Sequence, residues 1–202
     1  MKKLLLALGA GVLMSVAASA TTVTYSTTSS QLCVGSGSCG VNFQEIGGGT
    51  GVRVAFSPLA SSTVDANPIT FGSFGSVDIS CVAGGTACGN QSLAGLVLTI
   101  TITQTVPSAG SGSITSGNIT GTISGTASNA VITWAGIPAV TIGQIRYSVV
   151  NNPLALVPPT TNNGITSIQA QITDQTIPEP STYLLISGSL LGLGLMRKRL
   201  KK

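Results

Sequence analysis

The chain has 202 residues, nine of them Lys or Arg against five Asp or Glu, with no His and only 7% charged residues in all. The formal charge of +4 belongs to the two ends: from Thr21 to Pro180 two arginines, Arg53 and Arg146, stand against five carboxylates, a net of −3. That body lacks the basic stripe a nucleic-acid binder needs, and it lacks the His that Ser and Cys nucleophiles ordinarily use as base.

The first 20 residues have the layout of a signal peptide. Lys2 and Lys3 give a positive start, Leu4 to Ala17 an apolar core, and Ala18-Ser19-Ala20 a small-x-small cleavage box. We therefore expect passage through the Sec translocon and cleavage by signal peptidase between Ala20 and Thr21.

Residues 21–176 form the passenger, long enough for one domain with a real core. Four cysteines fall in two local pairs. In an exported chain they read as disulfides. Three pairings exist; Cys33–Cys39 with Cys81–Cys88 is favoured, each closing a small Gly-rich loop and contributing roughly 2 kcal/mol or a little more. Metal binding is the competing reading, and spacings of five and six intervening residues with no His argue against zinc.

Helical periodicity is absent from the passenger and two-residue alternation recurs. Val52, Val54 and Phe56 share a face opposite Arg53 and Ala55; Val77, Ile79 and Cys81 alternate with Asp78 and Ser80. The clearest strand is Leu96 to Thr103, with Leu98, Ile100 and Ile102 on one side and Thr99, Thr101 and Thr103 on the other. Ile119 and Ile123 continue the style, as do Ile145, Tyr147 and Val149. In the last strand Ile168, Ala170 and Ile172 point inward, Ser167, Gln169, Gln171 and Thr173 outward, and Ile165 is out of phase.

Gly47 to Gly49, Asn67-Pro68, Gly84-Gly85, Pro107 to Gly112, Pro153 and Pro158-Pro159 break these runs. Gly47 to Gly51 lacks the Lys-Ser/Thr of a phosphate loop and reads as a hairpin turn. Asn163-Gly164 predicts a type I′ turn. The expected fold is all-β, an antiparallel, jelly-roll-like β-sandwich. The low-complexity run Ser113 to Ser128 keeps a β-solenoid as the alternative.

Chemistry is mostly excluded. Every Lys lies in the two ends, so a Ser–Lys dyad is absent from the passenger. Glu45, Asp65, Asp78 and Asp174 are too scattered to suggest a glycosidase pair. Asp65-x-Asn67 is too sparse for a calcium loop. We expect no enzyme, no cofactor and no metal site. Two binding features remain: the face carrying Thr99, Thr101 and Thr103, suited to ice or glycans, and Trp134 with Tyr147, where an exposed Trp would stack on sugar rings but a lone Trp ordinarily belongs to the core. Asn90-Gln91-Ser92 and Asn118-Ile119-Thr120 fit the N-glycosylation pattern, and the Ser/Thr density suits O-linked sugars.

The tail, 177–202, has three parts in order. Pro178-Glu179-Pro180 stays extended because proline fixes φ and removes donors. Ser181 to Met196 is apolar; as a helix it spans about 24 Å against a hydrocarbon core of roughly 30 Å, a gap that snorkelling side chains close. Arg197, Lys198, Arg199, Lys201 and Lys202 then hold the end in the cytoplasm.

This tail resembles the PEP-CTERM sorting signal of Gram-negative bacteria. The likeness covers about the last 25 residues and rests on the triplet, the Leu/Gly-rich segment and the basic end in that order. It implies a single transmembrane helix in the inner membrane, recognition at Pro178, Glu179 and Pro180 by an exosortase, a membrane protease, and removal of the tail. It further implies a cell-surface or matrix protein associated with exopolysaccharide or biofilm, frequently glycosylated.

Overall fold

The structure, a computed structural model, describes residues 20–34, 38–40, 42–134, 136 and 138–176. The sorting triplet, the apolar segment 181–196, the basic end and residues 1–19 lie outside the described residues.

The first half of the domain supplies β1 (Thr21–Ser26), β2 (Gln31–Val34), β3 (Ser38–Gly40), β4 (Phe43–Ile46), β5 (Val52–Pro58), β6 (Ser62–Ala66) and β7 (Ile69–Cys81). The second half supplies β8 (Gln91–Ser92), β9 (Leu96–Val106), β10 (Gly110–Thr115), β11 (Thr122–Ile123), β12 (Val131–Ile132), β13 (Ala139–Ile142), β14 (Ile145–Val149), β15 (Leu154–Ala155) and β16 (Ile165–Asp174). The domain is all-β, and every strand pairing among the described residues is antiparallel. No described helix is long and apolar enough to cross a membrane.

Two six-stranded sheets carry the domain. One runs β3-β2-β9-β1-β6, with β10 on the other edge of β9; the second runs β13-β14-β16-β7-β5-β4. Two-residue alternation decides which side chains go inward. Leu98, Ile100 and Ile102 of β9 are fully buried, as are Val52 and Val54 of β5 and Ile168, Ala170 and Ile172 of β16. Both sheets contribute to one apolar cluster. Its aromatic centre joins them: Tyr25 of β1 lies edge-on to Tyr147 of β14 at 5.5 Å and to Phe74 of β7 at 6.3 Å. The short ladders β8–β11 and β12–β15 add Ile123 and Ile132 to the same cluster, and Trp134 joins it at 2% exposure.

β9 has two partners along one edge. Leu96–Thr99 pair with β2, and Thr103–Val106 pair with β1. Between them the ladder is bridged by buried hydroxyls. Ser30 Oγ accepts from the Thr101 amide (3.0 Å) and donates to Thr27 O (2.7 Å). Thr27 Oγ1 in turn donates to Phe74 O and accepts from the Leu59 amide. Both residues are at most 2% exposed, and each buried polar group thereby has a partner.

The left-handed turn lies where expected, at Asn163-Gly164: the two take φ of 53° and 76°, and the Ile165 amide donates to Asn162 O. Asn162, at φ 50°, begins the left-handed run one residue before it, and the turn leads into β16 without joining a hairpin. Two sequence expectations are corrected. Pro107 to Gly112 is only half a breaker, because β10 already begins at Gly110. Ile119 lies outside any strand and Ile123 in a two-residue one, because Gly121 takes φ 90° and Gly125 sits against the Thr86 carbonyl. Within β7 two glycines are set by their surroundings: a Cβ at Gly72 would lie 2.7 Å from the Tyr25 hydroxyl, and Gly75 takes φ 111° beside a register shift. The loop Gly47–Gly51 joins β4 to β5 as a hairpin, as expected.

Candidate functional site

Strand β9 orients Thr99, Thr101 and Thr103 away from the core because Leu98, Ile100 and Ile102 occupy the alternate positions. Residues directly opposite in an antiparallel pair share a face, so the register extends this Thr column sideways. Ser111 and Ser26 stand in line with Thr103; Ser113 with Thr101; Thr115 and Gln31 with Thr99. Farther along β1, Thr24 stands opposite Thr63 and Thr22 opposite Asp65 on β6. The result is a hydroxyl-covered face spread over β10, β9, β1 and β6. Its spacing is about 4.8 Å between strands and about 7 Å along them.

These hydroxyls brace one another. Thr99 and Thr115 share a hydrogen bond of 3.1 Å, Thr101 and Ser113 another of 3.1 Å, and Thr24 and Thr63 one of 3.0 Å. Thr22 Oγ1 donates to Asp65 at 2.9 Å. A hydroxyl has one proton and two lone pairs. Each hydroxyl–hydroxyl pair therefore uses one proton and one lone pair, and keeps the second proton and the remaining lone pairs for an outside partner. Pairing also holds χ1 of β-branched Thr in place, which makes the array regular. The face is neutral apart from Asp65 at its rim. Chemically it suits a neutral, polyhydroxylated or water-like partner bound by many weak contacts.

The sequence exposed the β9 column and missed the rest. The alternation Ser111, Ser113, Thr115 was present, but the glycines between them read as a turn. Gly110 and Gly112 are there because the strand runs close to β13: an added Cβ would meet Ile142 Cγ2 at 2.6 Å and Val140 Cγ2 at 2.4 Å.

The outer face of the second sheet has another character. Arg53 lies over the Phe43 ring, 3.7 Å from its centroid, and Phe71, opposite Gln171, is 66% exposed.

The cysteines form the favoured pairs. Cys33–Cys39 joins opposed residues of β2 and β3, and Cys81–Cys88 closes the loop after β7. Such bonds place the domain in an oxidising, extracytoplasmic compartment.

The remaining candidates separate. Trp134 belongs to the core and offers no exposed ring for stacking. Asp65, Asp78 and Asp174 lie on strands: Asp78 accepts from Ser57 and Ser76, Asp65 from Thr22, and Asp174 from Thr21. Glu45 stands opposite Arg53. Among the described residues no three metal-ligating side chains gather. Ala20 is exposed and Thr21 opens β1. Two buried phenols are pushed up in pKa, Tyr25 by burial against the opposing pull of Ser62 and Ser73, and Tyr147 by burial together with its neighbour Tyr25. Tyr147 donates to Gln104 Oε1 at 2.7 Å and Tyr25 to Ser73 O at 2.8 Å; these phenols are structural.

No family model, no curated protein and no solved structure matches this chain.

Proposed function

We propose that this chain is an exported structural or adhesive protein of the cell surface or extracellular matrix. In this reading its passenger is a jelly-roll-like β-sandwich, a signal peptide routes it through the Sec translocon, and an exosortase recognises Pro178-Glu179-Pro180 and removes the tail. Its partner is a neutral exopolysaccharide, bound across the hydroxyl face. The observation that supports the partner is the laterally braced Ser/Thr array: a single hydroxyl contact is worth about 1 kcal/mol net, and a polymer engages many at once. The exposed Asn90 and Asn118 suit attached sugars.

Two measurements test this. Deleting Pro178 to Lys202 is expected to misplace the protein; unchanged surface delivery would rule out the sorting role. Retention on a column of the producing cell's exopolysaccharide is expected to be lost in Thr101→Asp with the fold intact. Retention unaffected by that change would rule out the face.

The regularity of the same array supports a second reading, a module that binds ice. Ice shaping by the wild type, absent in Thr101→Asp, distinguishes it from glycan binding.

A further inference from the structure

Thr21 is the first residue of β1, and Asp174 is the last of β16. The Thr21 hydroxyl donates to the Asp174 carboxylate, which is 8% exposed. Both residues are held at one corner of the fold. Thr21 stands opposite Ala66, and the Asp174 amide donates to Pro68 O at 2.7 Å. The α-nitrogen of Thr21 lies about 2.5 Å from the carbon bearing that hydroxyl, so it shares the neighbourhood of the carboxylate. In the uncleaved chain this nitrogen is a neutral amide. Hydrolysis of the Ala20–Thr21 bond consumes one water, leaves a carboxylate on Ala20, and makes the nitrogen a primary amine that takes up a proton.

We propose that the α-ammonium created at Thr21 by signal-peptide removal pairs with the Asp174 carboxylate, so that processing itself ties the first strand to the last. This rests on the signal-peptide reading of residues 1–20 and is independent of the hydroxyl face. The exposed Ala20 leaves the bond to be cut outside the packed core. A charge pair at this part-buried corner is less screened than one on the open surface. In the unprocessed chain Thr21 offers Asp174 its hydroxyl and an uncharged amide nitrogen.

The test uses the full chain made in an exporting Gram-negative host, beside an uncleaved form carrying Ala18→Leu and Ala20→Leu. Intact mass first establishes the N-terminus, expected at Thr21. Asp174→Asn is then placed in both forms and melted in the same detergent. Its loss in Tm is expected to be roughly 4 °C in the processed form and less than half that in the uncleaved one. A second measurement needs no variant. The pH dependence of α-amine acylation, read on the N-terminal peptide, gives the α-amine pKa in the native and urea-unfolded protein. It is expected to rise by about one unit on folding, from an ordinary value of about 7.7 to 8.0, which slows acylation about 10-fold at neutral pH. An N-terminus other than Thr21 overturns both the signal reading and the proposal. With the N-terminus at Thr21, equal Tm losses in the two forms, or a native pKa no higher than the unfolded one, overturn the proposal alone.

Discussion

Ser30→Ala isolates the joint between β1 and β2. Ser30 is 2% exposed, and its hydroxyl is the acceptor for the Thr101 amide at 3.0 Å. The substitution removes that acceptor and leaves a part-buried N–H without its partner. Such a loss costs about 1–3 kcal/mol. The Thr27 carbonyl is less affected, because it still accepts from the Ser30 amide at 3.2 Å. The expected destabilisation is therefore about 2 kcal/mol. For an ordered domain of this size that corresponds to a fall in Tm of roughly 4–8 °C. The control is Ser113→Ala, which removes the outer partner of the Thr101 hydroxyl at 3.1 Å; there water replaces the lost bond and the change stays within about 0.5 kcal/mol. Urea unfolding of both variants, at unchanged m-value, reads the difference. A Ser30→Ala loss equal to that of Ser113→Ala would refute the claim that a buried hydroxyl carries the ladder across this gap.

Gly164→Ala puts a Cβ 2.0 Å from the Ile79 carbonyl oxygen at φ 76°; a loss of about 3 kcal/mol in chemical denaturation is expected, and a neutral result would mean the turn relaxes freely. Reducing both disulfides removes about 2 kcal/mol each, so Tm falls by roughly 10 °C in the presence of a thiol reductant, and each single Cys-pair deletion to Ala falls about halfway. At high pH the two raised phenols set the sign. Their folded pKa values lie above the unfolded value, so the unfolded chain ionises first and stability is lost as pH climbs past about 10, by about 1.4 kcal/mol per pH unit for each tyrosine. The phenolate absorbance of Tyr25 and Tyr147 is expected to appear together with unfolding; a phenolate signal from either in the folded protein would contradict the assignment.

Strand identity and facing were legible wherever alternation was clean and uninterrupted, as at Leu96 to Thr103 and Ile168 to Thr173. What was not legible is pairing across the chain. Nothing local in Ser111, Ser113 and Thr115 says that they stand beside Thr103, Thr101 and Thr99; only the register of β10 on β9 does. Glycine misled where it lies inside a strand: Gly110 and Gly112 read as a turn, and instead mark close approach of a neighbouring side chain. At Gly164 the left-handed turn was legible from the Asn163-Gly164 pair. Ser30 and Thr27 carried no sequence signal, because their role is set by a gap between two strands that only the three-dimensional arrangement creates.

The position of β16 constrains when the domain can form. It is third of six in its sheet, between β14 and β7, yet among the described residues it is the last strand to be made. Until residue 174 has emerged, β7 lacks one of its two neighbours and Asp174 has not met Thr21. Contacts between such distant parts of a chain form slowly, because a long loop must close before they repay its entropy. A domain threaded from its N-terminus through a narrow channel therefore keeps this sheet open until its last strand has crossed. On the proposed export route, late closure would spare the translocation machinery from having to unravel a finished domain.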